Sequence, residues 1–358
     1  MLLLRSKTFL TKLYYLGCSN LSTESESVQP LRSHYYYGFH PNVTTIDAPY
    51  QSMVLTKTLH YNQLPHSLSQ NSDVSSSIEQ LVRDAIVLTV GKDKRVLTRK
   101  YKEKPENELN TDDYYLSLIM NLLRIALTPQ GVYQPVLTYR SYIAYDWIAM
   151  DTYSHMEELI RMRGRPFGWL ISSSQDKASP LVVPDPDEVR ELSQSPLHDL
   201  YPVSPLIGLP KCTFYHDSSD ILPANEQFRV PHTLLYIHNM KLSHVQNFQS
   251  VVMHLFSLLA SYATRYCGAT PGHELATPLS AQAILTTGTK YTYFYYQLNT
   301  LDIAQIDTGL KNLLYTSDSE IQLYQFDLKQ DKIIEFNLEC LRLFVDTLNN
   351  FRQINHGY

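Results

Sequence analysis

Glycine is scarce in this chain, at 12 of 358 residues, and the GxxxxGK[ST] pattern of a phosphate loop is absent. The nearest approach, TTGTK at Thr286 to Lys290, is followed by strand-like sequence and reads as a hairpin turn. Cysteine is equally sparse. Cys18, Cys212, Cys267 and Cys340 are scattered without a CxxC pair, which excludes a disulfide framework and a four-ligand zinc site and leaves reduced, mostly buried thiols. No apolar run reaches the roughly 18–20 residues that a spanning helix needs, so no membrane span is expected. Positive charge is also short: 30 Lys and Arg against 35 Asp and Glu give a net charge of −5, so the surface as a whole does not grip a phosphate backbone. Tyrosine, in contrast, is abundant at 27, supplying amphipathic groups with an apolar body and a polar tip.

The first 23 residues contain no Asp or Glu. They carry Arg5, Lys7 and Lys12 among Leu3, Leu4, Phe9, Leu10, Leu13 and Leu16, with Ser and Thr between. An acid-free, cationic, amphipathic segment is what mitochondrial import favours, and residues 1–23 are read as that address. The competing readings are a secretory signal, which the interspersed cations disfavour, and an ordinary first helix.

Residues 24–51 show no clear period and read as a loosely structured arm ahead of a domain covering 52–358. Thr111, followed by Asp112 and Asp113, opens a helix carrying Leu116, Ile119, Met120, Leu123 and Leu127 at helical spacing, and Pro129 stops it. Val136 to Ile143 alternates as a strand. Residues 172–205 are loop-like around a short helix capped by Asp187, and a sub-domain boundary is placed there. Cys212 to His216 and Thr233 to His238 are strand-like. Val245, Phe248, Val252, Leu255, Leu259, Tyr262 and Tyr266 form one stripe of a helix that ends at Gly268. A hairpin about Gly288 joins Ser280 to Thr287 and Lys290 to Leu298. In its second strand Tyr291, Tyr293 and Tyr295 share one face while Phe294, Tyr296 and Leu298 share the other, so both faces should be covered. Strands at Leu310 to Tyr315, Ile321 to Phe326 and Lys332 to Phe336 precede a closing helix, Leu338 to Leu348, capped by Asn337. The order predicts an α+β fold: a mainly antiparallel or mixed sheet with packed helices, and two long amphipathic helices in the core.

Candidate chemistry is thin. Cys212 with His216, and Cys267 with His273, lack the second pair that four metal ligands require. His254 near Ser257 and Cys267 has no nucleophile-elbow motif around it. Asp185, Asp187 and Glu188 read as helix-capping carboxylates rather than an acid pair. No catalytic residue, metal site or cofactor is therefore assigned, and a matrix hydrolase or nuclease-like enzyme remains only as the alternative. The strongest charge feature is Lys92, Lys94, Arg95, Arg99, Lys100, Lys102 and Lys104 against Asp93 and Glu103, with Tyr101 interleaved. Dense positive charge on an acidic chain suits phosphates, and the tyrosine suits stacking on a base; a solvated loop is the plain alternative. Arg161, Arg163 and Arg165 form a second, smaller RNA-binding candidate.

MVLTKT at Met53 to Thr58, QLP at Gln63 to Pro65, LYPVSPLIGL at Leu200 to Leu209, PHTLLY at Pro231 to Tyr236, FYYQLNT at Phe294 to Thr300, GLKNLLY at Gly309 to Tyr315 and LYQ at Leu323 to Gln325 occur in order. Taken together they resemble the metazoan family of mitochondrial large-subunit ribosomal protein thirty-seven, from about residue 50 onward. The resemblance implies a structural constituent of the mitochondrial large ribosomal subunit, without catalysis. It also implies pairing with a paralogue, mitochondrial ribosomal protein thirty or programmed cell death protein nine, together with contacts to other large-subunit proteins and local contact to mitochondrial rRNA. The segment before Met53 is shorter than in that family, so no contact of a longer amino-terminal arm is carried over.

Overall fold

The computed structural model describes residues 34–39, 48–68, 74–100, 111–126, 142–145, 149–155, 158–164, 168–173, 179–200, 204–214, 228–239, 242–327, 330 and 332–350. The address segment lies outside the described residues, as do Tyr101, Lys102, Lys104 and Arg165. The fold is α+β. Strand β10 (Lys290–Thr300) sits inside an eight-stranded mixed sheet and is hydrogen-bonded on one side to β9 (Glu274–Thr286) and on the other to β11 (Asn312–Thr316), both antiparallel. The sheet continues outward from β11 to β2 (Thr58–Tyr61), which is parallel to it, and from β9 to β8 (Phe228–Ile237), also parallel. Beyond β8 come β6 (Gly168–Ser173) and β3 (Tyr142–Tyr145), both antiparallel, and the short β12 (Ile321–Gln322) pairs with the start of β10.

Both faces of this sheet are covered, as the alternation in β10 predicts. On one face Tyr291, Tyr293 and Tyr295 join Leu235, Ile284, Leu313 and Tyr315. This face buries helices α2 (Ser76–Lys100), α3 (Thr111–Ala126) and α6 (Leu338–Leu348) and the segment bearing Val182, Val183 and Val189. On the other, Phe294, Tyr296 and Leu298 pack with Leu234, Tyr236, Ala283 and Leu314 against α1 (Ala48–Leu55) and α5 (His244–Tyr266). Helix α5 also packs against β4 (Ala149–His155) and β5 (Glu158–Gly164). These belong to a second, four-stranded sheet ordered β4, β5, β1 (His34–Phe39), β7 (Lys211–Phe214). A separate hairpin, β13 (Tyr324–Asp327) with β14 (Lys332–Phe336), lies against α2, where the Arg83 guanidinium sits 4.2 Å over the Phe336 ring.

Local sequence explains most boundaries. Helix α5 starts with a reciprocal capping box between Ser243 and Gln246 and ends where Gly268 takes φ +68, with Cys267 N–H and Ala269 N–H both donating to Ala263 O. Asn337 caps α6 by accepting the Cys340 N–H at 3.1 Å. Two expectations need correction. The short helix α4 (Pro186–Leu192) is capped by Asp185, which accepts the Asp187 N–H at 2.9 Å; Pro186 occupies the first helical position, where a missing N–H costs nothing. The basic run is not a loop up to Lys100: residues 92–100 complete the 25-residue helix α2. Ile78, Val82, Ala85, Ile86 and Val90 are buried at helical spacing, and Glu79 pairs with Arg83 at 2.7 Å.

A strand buried on both faces must partner every phenol it carries, because a buried unpaired polar group costs about 1–3 kcal/mol. Tyr293 Oη donates to Cys340 O at 3.1 Å and Tyr295 Oη is 2.7 Å from Thr347 Oγ1, tying β10 to α6. Tyr296 Oη is 2.7 Å from Thr58 Oγ1 on β2. The Thr347 hydroxyl is itself committed to Leu343 O at 2.7 Å, so Tyr295 is the donor in their bond. Burying each ring contributes roughly 1.5–3 kcal/mol. Tyr295→Phe should keep the ring packing and cost about 1 kcal/mol, while Tyr295→Ala should cost about 3–5 kcal/mol, measured by urea unfolding of the purified chain.

Candidate functional site

The densest convergence of polar side chains lies inside the sheet, where Thr56 to Thr58, Gln297 to Thr300 and Lys311 with Asn312 meet. The Asn312 amide Nδ2 donates to Thr56 O at 2.8 Å and Thr300 O at 3.2 Å, and its Oδ1 accepts from Asn299 N at 2.8 Å and Thr300 N at 3.0 Å. Asn299 Nδ2 donates to Lys311 O at 2.8 Å; Gln297 donates to Asn299 Oδ1 at 2.9 Å and accepts from Val183 N at 2.8 Å. These amides bridge β10, β11, the turn at Thr56 and the 179–186 segment, so they do the work of a backbone ladder where the strands end.

Two lysines are buried at the rim of this network. Lys57, the one described non-glycine residue at positive φ (48), sends its ammonium to Asp302 O at 2.9 Å and Thr308 O at 2.7 Å. Lys311 Nζ donates to Ser193 O at 2.6 Å, and its N–H is accepted by Ser193 Oγ at 3.0 Å. Burial lowers the pKa of both amines; Asp302 and Glu274 oppose that shift at Lys57, and Asp307 opposes it at Lys311. An amine of lowered pKa in a cleft is what nucleophilic or base catalysis uses. Here the ammoniums are directed at carbonyls, and they pin the 302–308 loop and the end of α4.

An open cavity of about 630 Å³ adjoins them, lined in part by Arg190, Gln194, Glu274, Asn299, Asp307 and Gly309. Its polar groups are largely engaged in structure: Arg190 pairs with Asp187 at 2.7 Å, Glu274 Oε1 accepts Leu310 N at 2.8 Å, and Asn299 belongs to the network. Gly309 has φ +75, and a Cβ there would lie 3.1 Å from Glu274 Oε1, so the glycine is what lets that carboxylate cap the loop.

A second buried cluster ties β8, β9 and α6. Gln282 donates to Thr233 Oγ1 at 2.8 Å and to Thr347 O, and Asn350 Nδ2 reaches Gln282 Oε1 at 3.2 Å and Leu181 O at 2.9 Å. His232 Nε2 donates to Asn350 O at 3.1 Å, leaving Nδ1 to accept the Thr233 hydroxyl at 2.7 Å, which fixes a neutral tautomer. Across α5, Tyr236 Oη bonds His254 Nδ1, so His254 is a core residue joined to the sheet rather than a partner of Ser257, whose hydroxyl donates to Met253 O at 2.8 Å. Cys267 lies exposed at the α5 C-cap, and Cys340 is buried, its thiol pushed up to about 12 by burial. Among the described residues no three His, Cys, Asp or Glu side chains are placed to hold a metal ion.

The sequence-predicted RNA-binding residues lie elsewhere. Lys92, Lys94, Arg95, Arg99 and Lys100 occupy the last turns of α2, and Arg161 and Arg163 alternate along β5. The family model described as "Mitochondrial 28S ribosomal protein S30 (PDCD9)" matches residues 236–352, from the end of β8 through α6. "Large ribosomal subunit protein mL37" of Rattus norvegicus is 28% identical over 296 residues, 81% of this chain and 66% of the relative, and the Mus musculus protein of that name gives the same figures. The Bos taurus mL37 is 26% identical over 310 residues, 83% of this chain and 69% of the relative. The chain is similar to the mL37 proteins over about four fifths of its length. It spans about two thirds of the length of the rat and mouse mL37 relatives. The stretches that carry the resemblance include MVLTKT, FYYQLNT and GLKNLLY, and these hold Lys57, Thr58, Tyr296, Gln297, Asn299, Lys311 and Asn312. Sequence reasoning missed the network itself. Its signal was there: amides and a lysine interrupt otherwise apolar strand sequence at Gln297, Asn299, Lys311 and Asn312.

Two consequences are measurable. Asn312→Ala removes a four-bond hub and strands its partners, so it should destabilise the chain by about 3 kcal/mol or more in urea unfolding. Burial holds His232 and His60 at about 4, below their ordinary 6.5. The unfolded chain then takes up protons that the folded chain refuses, so stability should fall as pH drops from 6.5 towards 4 and this contribution should level off below 4. Replacing both histidines with Asn should make the stability–pH slope over that window shallower by up to two protons.

Proposed function

We propose that the chain is a structural constituent of the mitochondrial large ribosomal subunit that works by fitting surfaces together and transforms no substrate. The single observation that carries this reading is the similarity to mL37 over 81% of the chain. The interior supports it, since the reactive-looking groups of this fold, Lys57, Lys311, His232 and His254, are engaged with backbone or core partners. A hydrolase or nuclease would instead need a base, an acid and a nucleophile converging on one cavity.

In this reading the chain resides in the mitochondrial matrix and supports translation there. It pairs with a paralogous ribosomal protein of the PDCD9 kind, a pairing that fits the match of residues 236–352 to that family model. Local rRNA contact falls to Lys92, Lys94, Arg95, Arg99, Lys100, Tyr101, Lys102 and Lys104, with Arg161, Arg163 and Arg165 as a second group. On α2 the first five lie on one short stretch of helix, where positions 92, 95 and 99 fall within about a sixth of a turn. A rigid helix end holds cations in fixed relation to one another, which favours a defined phosphate path over diffuse attraction.

A tagged chain should sediment with the mitochondrial large subunit on a sucrose gradient; recovery only as free matrix protein would defeat the proposal. Changing Lys92, Lys94, Arg95, Arg99 and Lys100 to Gln together should weaken that association at least tenfold and make it less salt-sensitive. Association unchanged in strength and salt response would remove the RNA role from α2.

A further inference from the structure

Strand β9 loses a neighbour over its first half. It pairs with β10 from Glu274 onward, but with β8 only from Gln282 to Thr286. Its residues Glu274 to Leu279 are exposed or half-buried, and those from Ser280 to Thr286 are buried. A groove runs between that first half and the 179–194 segment. Its narrow end, about 230 Å³, is walled by Leu181, Val183, Pro184 and Pro278 and reaches down to Gln297. Past Pro186, Val189 and Ala276 it opens into the cavity of about 630 Å³ beside Gly309. One turn of helix, roughly 5 Å long and 10 Å wide, fills about 400 Å³, so the narrow end admits extended chain and not helix.

The rim is acidic. The 179–194 segment carries Asp185, Asp187, Glu188 and Glu191 against one cation, Arg190, and that cation is paired with Asp187 at 2.7 Å. Glu188 and Glu191 line an adjoining open cavity that shares Gln194 with the groove. Across from α4 stand Glu274 and Asp307, both exposed and both on the groove wall. Lys57 and Lys311 oppose this charge from below, but both are buried with their ammoniums directed at carbonyls. The amides of Gln297 and Asn299 are likewise committed to the network beneath. Carboxylates accept hydrogen bonds and donate none, so a complementary occupant carries N–H donors and positive charge. An RNA backbone offers only acceptors and negative charge there, and is repelled.

We propose that the groove between α4 and the first half of β9 receives an extended, lysine- or arginine-bearing segment of another protein. Its apolar side chains lie at the proline-walled end and its cations meet Asp307, Glu274 and the carboxylates of α4. The inference rests on the ribosomal reading above, and it assigns this face a basic protein segment and not rRNA.

The test uses the full chain and fluorescence anisotropy with a labelled peptide of four Ala-Lys-Pro repeats, whose prolines keep it extended. A counterpart with glutamate in place of lysine and a twelve-nucleotide oligouridylate serve as comparisons. The lysine peptide should bind about tenfold tighter than the glutamate one and weaken as salt rises. Ala276→Trp, which fills the groove without altering charge, should weaken it about fivefold. Glu188→Gln, Glu191→Gln and Asp307→Asn together should weaken it by about the same factor and flatten the salt dependence. The same number of neutralisations elsewhere, Asp84→Asn, Asp318→Asn and Glu335→Gln, should change binding by less than about twofold. Circular dichroism on each variant separates lost binding from lost folding, and the carboxylate triple decides the matter where Ala276→Trp does not fold. Absence of lysine-peptide binding, equal losses in the two triples, or indifference of the folded Ala276→Trp chain would overturn the proposal. So would oligouridylate binding that Ala276→Trp abolishes, or self-association in sedimentation velocity that it abolishes, which would give the groove to RNA or to a second copy. A chain that still sediments with the large subunit in those cases would leave the ribosomal reading standing.

Discussion

Strand β10 has no solvent face, and the rest of the structure follows from that constraint. From Tyr291 to Thr300 each residue is buried, so its apolar rings must find two separate cores and its polar groups must find partners inside the protein. The strand solves the first problem by alternation, tyrosines towards α6 and Phe294, Tyr296 and Leu298 towards α5. It solves the second by spending its phenols and amides on neighbouring elements. The tyrosine hydroxyls fix where α6 and β2 stand, and Gln297 and Asn299 fix the 179–186 segment and the end of β11. Packing alone would tolerate sliding of one layer on another; hydrogen bonds that must be made in a low-dielectric interior do not.

This explains where the stretches that carry the family resemblance sit. MVLTKT supplies the backbone carbonyl and hydroxyl that meet Asn312 and Tyr296, FYYQLNT is β10 itself, and GLKNLLY brings Lys311 and Asn312 alongside. Such residues are constrained by one another across more than 200 positions of sequence, as in the contacts of Lys57 with Asp302 and Thr308. Similarity carried by them speaks first to a common architecture. What the chain touches outside itself is governed by other residues, which must be argued from charge and placement.

Legibility in the sequence divided along the same line. Helix α5, the hairpin about Gly288, the two-faced tyrosines and the Asn337 cap were readable because each depends on a local period or a local bond. Helix α2 was hidden because its charged half, residues 92–100, looks like a solvated run; only the stripe from Ile78 to Val90 and its burial under the β13–β14 hairpin reveal the helix. The cap of α4 was misplaced by two residues because Asp185 and Asp187 are chemically identical and only the proline between them decides the phase. The amides were visible as interruptions of apolar strand sequence, but their partners were not, since they are brought together by the pairings of β10 with β11 and of β11 with β2, across more than 200 positions in the second case.

The charge balance then acquires a geometric meaning. Among the described residues Lys57, Lys311 and Asp346 are 0%, 2% and 4% exposed, so burial withdraws two cations against one carboxylate and does nothing to make the formal −5 less acidic. An acidic surface repels phosphate over a Debye length of about 8 Å at physiological salt, and only local clusters of cations can reverse the sign. In the proposed ribosomal reading, the basic run from Lys92 to Lys100 would be such a cluster. A protein built this way would approach RNA in few orientations, because every other approach meets like charge. That orientational restriction is useful to an assembly component, whose task is to occupy one position, and it would be wasted on a protein that had to bind RNA anywhere along its length.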